Sequence, residues 1–97
     1  MKEYIYLCNL YDIYKELFTE KQKKYFEYYY FDNLSLAEIA ENENVSRNAI
    51  HNQLKIMEEK LNEYESKINL YEKKEKILEM LEKKVDNELY ERIKEYL

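Results

Sequence analysis

The chain contains neither glycine nor proline, and this absence constrains its fold more than any other feature of the sequence. Tight β-hairpins need glycine at turn positions with positive φ, and other turns commonly use glycine or proline. The charged residues, 38% of the chain, are mostly lysine and glutamate, which favour helices. The composition therefore predicts an all-α fold, and 97 residues predict one small domain with a modest core.

Capping signals divide the chain into helices. Thr19 with Gln22, and Ser35 with Glu38, have the spacing of capping boxes, in which each side chain accepts a hydrogen bond from the other residue's backbone N–H. Ser46 predicts a further helix start, and Asn44 lies where the preceding turn needs a left-handed residue. The predicted helices cover residues 4–18, 20–33, a short stretch from Leu36, a long stretch over 47–71, 70–84 and 86–97.

Residues 35–55 have the outline of a helix-turn-helix motif. Such a motif needs a small residue where its two helices touch, and Ala40 supplies it. The second helix of the motif enters the DNA major groove with its N-terminal residues. The polar residues at these positions are Arg47, Asn48, His51, Asn52 and Lys55.

These five polar residues are predicted to form one face of the helix. At 100° per residue they span an arc of about 140°, on the side opposite Ile50, Leu54 and Met57. Arginine suits guanine, asparagine suits adenine, and lysine suits phosphate. Lys21, Lys23 and Lys24, at the start of the second predicted helix, would add positive charge. The sequence therefore predicts a nucleic-acid-binding surface made of these eight residues.

Two features oppose nucleic-acid binding. The net charge is −5, and residues 35–69 contain four basic and seven acidic residues, whereas nucleic-acid modules usually carry a basic footprint. Glu43 also occupies a position beside the turn where helix-turn-helix motifs carry an apolar residue. Either Glu43 lies at the rim of the motif, or the turn is looser than usual. A module that binds a partner protein instead of nucleic acid therefore stays open.

An apolar seam follows the motif. Its residues recur with alternating spacings of four and three, as in a coiled coil. They are Ile50, Leu54, Met57, Leu61, Tyr64, Ile68 and Tyr71. A short chain struggles to cover so long a seam alone, so we expect a homodimer that packs along it. The alternative is packing within one chain, against the first and fifth helices.

Other functions find little support in the residues. His51 and Cys8 are the only histidine and cysteine and lie on different helices, so we expect no enzyme activity, no metal ligation and no disulfide within the chain. Without glycine there is no phosphate-cradling loop, and we expect no cofactor and no small-molecule substrate. No run approaches the roughly 20 apolar residues of a membrane span, so we expect no membrane insertion.

Residues 17–74 carry a family resemblance. Their most specific part runs from Lys21 to Ala49, "KQKKYFEYYYFDNLSLAEIAENENVSRNA". This stretch resembles the YlxM/p13-like helix-turn-helix family (UPF0122), which is itself similar to region 4 of bacterial sigma factors. The resemblance implies an all-α, sigma region 4-like domain with a long C-terminal helical extension. We accordingly expect a helix-turn-helix domain over 1–69 and an extension over 70–97.

The resemblance also carries functional expectations. It implies a non-enzymatic regulatory protein of the bacterial cytoplasm that dimerises through its extended helices. It further implies a link to the signal recognition particle, because family members are encoded beside genes of that particle's GTPase. The expected partner is then the particle's RNA or protein. A dimeric DNA-binding transcriptional regulator is the second hypothesis, and a protein-interaction module is the third.

Overall fold

A computed structural model describes residues 2–97 as a chain of helices. The six α-helices are α1 (Lys2–Tyr14), α2 (Glu20–Tyr30), α3 (Leu36–Glu43), α4 (Arg47–Ile68), α5 (Leu70–Leu81) and α6 (Asn87–Tyr96). A 3-10 turn, Lys15–Leu17, follows α1. No β-strand occurs within residues 2–97, so the predicted all-α fold is confirmed.

The helix starts follow the capping chemistry of the sequence. Both predicted capping boxes form, at Thr19 with Gln22 and at Ser35 with Glu38. The Ser46 hydroxyl accepts the backbone N–H of Ala49 at 3.0 Å and begins α4. These starts confirm the predictions, because each cap satisfies amides that the first turn leaves without a partner.

The helix ends were predicted less well. The first helix was expected to reach residue 18, but it tightens into the 3-10 turn after Tyr14, and Phe18 is extended. The second was expected to reach residue 33, but α2 ends at Tyr30 and Asn33 adopts a positive φ of 57°. The sequence marks these ends weakly because it has no glycine or proline to stop a helix.

The long helix α4 is the centre of the core and packs against α1, α2 and α3. Its buried apolar residues are Ile50, Leu54, Met57 and Leu61. Aromatic side chains from α1 and α2 complete the core, and the ring of Phe26 stacks between Tyr11 at 4.1 Å and Tyr30 at 4.3 Å. Burying each such side chain stabilises the fold by about 1.5–3 kcal/mol.

Three buried tyrosines each pair with a glutamate. The hydroxyl of Tyr11 donates to Glu27 at 2.6 Å. The hydroxyl of Tyr30 donates to Glu58 at 2.8 Å. Burial, and then the hydrogen bond to the carboxylate, raise the pKa of both phenols. The tyrosines can therefore be buried in the core, because each polar tip has an acceptor.

The third pair, Tyr14 with Glu65, organises the start of α5. The Tyr14 hydroxyl donates to Glu65 at 2.6 Å and accepts the N–H of Leu70 at 3.2 Å. The two carboxylate oxygens of Glu65 accept the N–H groups of Tyr71 at 3.1 Å and Glu72 at 3.0 Å. Burial and the carboxylate raise the pKa of Tyr14 to about 12. The first three amides of α5 are thus capped by side chains of α1 and α4.

This cap explains why the prediction of a continuous helix through Tyr71 is wrong. Asn69 adopts a left-handed conformation, with φ 58° and ψ 29°, and ends α4 at Ile68. Glu65 is 93% buried, since only 7% of its surface is exposed. Its negative charge is stabilised at the positive end of the α5 dipole. The apolar spacing of the seam continues past Asn69 because Tyr71, on α5, also packs on α1. Its ring lies 5.6 Å from that of Tyr6.

The helices α5 and α6 form an arm beside the core. α5 contacts α1 and α6, and the chain measures 51 × 26 × 24 Å overall. Leu78 is the one residue of α5 that is buried, and α6 has none. No helix within residues 2–97 is long and apolar enough to cross a membrane.

Replacing Glu65 with glutamine tests the cap. The amide group would present a donor to an N–H of α5 that now donates to a carboxylate oxygen. We expect a loss of about 1–3 kcal/mol in the free energy of unfolding, measured by urea denaturation. We also expect faster hydrogen exchange at the amides of Tyr71 and Glu72 than in the unmodified chain.

Glu63→Gln is the matched control. Glu63 lies on the same helix and pairs with Lys67 at 3.0 Å, but both side chains are more than half exposed. Such a pair contributes only about 0–1 kcal/mol. An equal loss in the two variants would show that Glu65 acts as an ordinary surface charge.

Candidate nucleic-acid interface

The turn between α3 and α4 has regular helix-turn-helix geometry. Asn44 is left-handed, with φ 57° and ψ 45°. The N–H of Val45 returns to the carbonyl of Ala40 at 3.1 Å, which satisfies the end of α3. Ile39, Ala40 and Ile50 are buried on either side of the turn. The turn is therefore closed by the residues that the sequence indicated.

Glu43 lies at the rim of this motif, and the turn is not loosened. Its side chain is 16% exposed, and its carboxylate lies 3.4 Å from the ammonium of Lys24 on α2. The position that would take an apolar residue therefore holds an ion pair between α2 and α3. Of the two arrangements expected for Glu43, the rim position is the one observed.

The predicted contact face of α4 is presented to solvent. All five of its residues are exposed: Arg47, Asn48, His51, Asn52 and Lys55. The opposite face of α4 is fixed by the buried residues Ile50, Leu54 and Met57. The helix is thereby held against the core with its polar side outward.

The N-terminus of α4 differs from those of the other α-helices in residues 2–97. Each of the others has an acidic residue in its first turn: Glu3, Glu20, Glu38, Glu72 and Glu88. The first turn of α4 has none and carries Arg47 instead. Helix N-termini attract anions. A phosphate at the start of α4 would meet no carboxylate in the first turn of that helix.

The three lysines of α2 are not equivalent. Lys23 pairs with Glu16 at 3.2 Å and with Glu20 at 3.3 Å. Lys24 pairs with Glu43, as described above. Lys21 is exposed and forms no ion pair with a side chain in the described part of the chain.

Lys21 and α4 share a groove of about 480 Å³. The groove also contains Thr19, Asn52 and Gln53. The side-chain amide of Gln22 donates to Gln53 at 3.3 Å and ties the start of α2 to α4. Sequence reasoning found Lys21 and Asn52 but missed Thr19 and Gln53, because their proximity depends on how α2 crosses α4. A second groove, of about 340 Å³, contains His51 and Lys55.

The seam residues do not share one environment. Ile50, Leu54, Met57 and Leu61 have at most 3% of their surface exposed within the single chain. Tyr64 is half-buried, with its ring 5.8 Å from Tyr14 and 5.9 Å from Phe18. Ile68 is 41% exposed, and Tyr71 lies beyond the break, on α5. Packing within one chain therefore accounts for the first four residues and leaves them little surface for a dimer contact, and the homodimer itself stays a prediction.

The fold and the exposed face of α4 define a helix-turn-helix protein. The family model described as "Putative helix-turn-helix protein, YlxM / p13 like" matches residues 1–96. The chain belongs to this family, UPF0122, which confirms the resemblance noted in the sequence.

Several members of the family are similar over part of their length. A UPF0122 protein of Listeria innocua is 53% identical over 55 residues, which cover 57% of this chain and 50% of that protein. One from Halalkalibacterium halodurans is 51% identical over 55 residues, with the same coverage of both chains. One from Fusobacterium nucleatum is 47% identical over 55 residues, which cover 57% of this chain and 53% of that protein. The match spans about half the length of these curated relatives.

Replacing Asn44 tests the turn. Asn44→Val places a β-branched residue at positive φ, so we expect a loss of at least about 1–2 kcal/mol in the free energy of unfolding. Asn44→Gly should change it by less than about 1 kcal/mol. Thermal and urea unfolding measure both changes.

The control for this pair is Asn42→Val. Asn42 is exposed within α3, where valine costs only tenths of a kcal/mol relative to asparagine. If the valines at residues 42 and 44 destabilise the chain equally, the conformation of Asn44 is not the cause.

Proposed function

We propose that this chain is a non-enzymatic regulatory protein that binds nucleic acid through the outer face of α4. The observation that carries the proposal is the exposure of Arg47, Asn48, His51, Asn52 and Lys55 on a helix whose opposite side is buried. Lys21 extends the surface across the groove to α2. The acid-free first turn of α4 supports contact with phosphate.

The partner that we propose is the bacterial signal recognition particle, through its RNA or its protein component, in the cytoplasm. Family membership supports this proposal, because the resemblance implies a link to that pathway. Duplex DNA is the alternative ligand, and the residues of α4 suit base edges as well as phosphates. In that case the chain would be a transcriptional regulator.

Arg47→Ala tests whether α4 is the contact surface. We expect at least about a tenfold weaker affinity for the particle's RNA or for duplex DNA at about 50 mM salt, where phosphate contacts are strongest. Fluorescence anisotropy with both probes measures the affinity and shows which ligand is preferred.

Arg92→Ala is the matched control, because Arg92 is the other arginine of the chain and is exposed on α6. Its affinity should equal that of the unmodified chain. If both variants bind as tightly as the unmodified chain, α4 is not the contact surface.

A protein-interaction module is the second candidate. It is favoured by the net charge of −5 and by Glu43 beside the turn. If the unmodified chain binds neither nucleic acid at about 50 mM salt, the nucleic-acid-binding part of the first proposal fails and this function replaces it. Binding to the particle's protein component would then identify the partner.

We also propose that the chain forms a homodimer, with residues 1–69 as the helix-turn-helix unit and residues 70–97 as the extension. The arm formed by α5 and α6 supports a second copy as the partner, since it leaves apolar side chains in solvent. Met80 is 67% exposed, Ile77 is 38% and Leu89 is 41%. A second arm would cover these side chains, whereas the buried residues of the seam have little surface left to bury.

Met80→Asp tests this dimer. An added charge in an apolar interface costs several kcal/mol, so we expect only monomer in sedimentation at micromolar concentration, against dimer for the unmodified chain. Asn87→Asp adds the same charge at an exposed polar position of α6 and should leave the dimer intact. Monomer in the unmodified chain would contradict the proposal.

A further inference from the structure

The ion pair between Lys24 and Glu43 joins α2 to the end of α3, just before the turn into α4. Glu43 precedes Arg47 by four residues, across the turn that leads into α4. Lys24 lies one helical turn after Lys21, which lines the groove shared with Asn52. A nucleic acid that contacts Arg47 and Lys21 would therefore pass close to Lys24.

We propose that Glu43 is an internal counterion that occupies Lys24 and reduces the number of phosphates that the chain can bind. This inference rests on the proposed function. The Glu43 side chain is 16% exposed, while that of Lys24 is 53% exposed. The Glu43 side chain is thus largely enclosed, and the Lys24 side chain lies toward solvent, where a phosphate would compete for its ammonium.

The other paired lysine of α2 does not have this arrangement. The Lys23 side chain is only 15% exposed, and its partners Glu16 and Glu20 are 78% and 93% exposed. Its ammonium therefore lies between two exposed surface carboxylates. Of the two ion-paired lysines of α2, Lys24 is the one with an accessible side chain, and its one partner is a largely buried glutamate.

The size of the effect follows from the weakness of such pairs. A partly exposed ion pair contributes little, so releasing Lys24 should raise affinity by no more than about fivefold at about 50 mM salt. The dependence on salt is the sharper signature. Each added phosphate contact steepens the slope of log affinity against log salt by about 0.9 on duplex DNA and about 0.7 on single strands.

Glu43→Gln tests the inference. We expect a tighter affinity and a slope steeper by about one phosphate contact, measured by anisotropy at several salt concentrations. The probes are a random-sequence DNA duplex and a random-sequence single-stranded RNA. Glu43→Leu, which restores the apolar residue usual in such motifs, should show the same change and serves if the glutamine variant fails to fold. Circular dichroism verifies folding.

Two controls separate release of Lys24 from a simple change of net charge. Glu41→Gln removes the same charge from an exposed position on α3 that forms no ion pair with a side chain in residues 3–97, and its slope should stay unchanged. Adding Lys24→Gln to Glu43→Gln should abolish the steeper slope.

The outcomes are distinct. The inference is overturned if the slope of Glu43→Gln equals that of the unmodified chain, if Glu41→Gln steepens it equally, or if the double variant keeps the gain. In those cases the proposed function stands as long as the unmodified chain binds. If no variant binds either probe, both fail. If only the variants at residue 43 bind, the inference is supported.

Discussion

The position of the C-terminal arm depends on one buried carboxylate. Glu65 projects from α4 and accepts two N–H groups of α5, while Tyr14 of α1 donates to it and accepts a third N–H. Three helices thus meet at one hydrogen-bonded cluster. Because a buried charge without partners is costly, the cluster fixes the angle at which α5 leaves the core.

The proposed contact surface depends on the core in a similar way. Helix α4 can present a polar face only because its other side is held by α1, α2 and α3. Tyr11 and Tyr30 help to make this possible in a short chain, since each buries a large apolar ring and donates its hydroxyl to a glutamate. The glutamates therefore accept hydrogen bonds from tyrosines of the core, in addition to giving the surface its negative charge.

Local chemistry made much of this structure predictable. Thr19, Ser35, Ser46 and Asn44 act within a few residues of themselves, so the helix starts and the turn could be predicted from the sequence. The exposed face of α4 followed from helical spacing alone. Whether its residues bind nucleic acid depends on a ligand, which spacing does not identify.

Interactions between distant residues could not be predicted in this way. The pairs of Tyr14 with Glu65 and of Lys24 with Glu43 join residues far apart in the chain. A helix boundary near residue 70 was predicted, but the long helix was carried past Asn69 to Tyr71 because the apolar spacing continues across the break. Tyr71 lies on α5 but packs on α1, as Tyr64 of α4 does, so the apolar spacing is the same with or without a break.

The left-handed turns of this chain have a consequence for its unfolded state. Asn33, Asn44 and Asn69 all adopt positive φ, at 57°, 57° and 58°, where many chains use glycine. Glycine would relieve the local strain but would give the unfolded chain more conformational freedom to lose on folding. By using asparagine, the chain accepts some strain in the native state and restricts its unfolded ensemble. The three turns therefore affect the free energy of the unfolded state as well as that of the folded state.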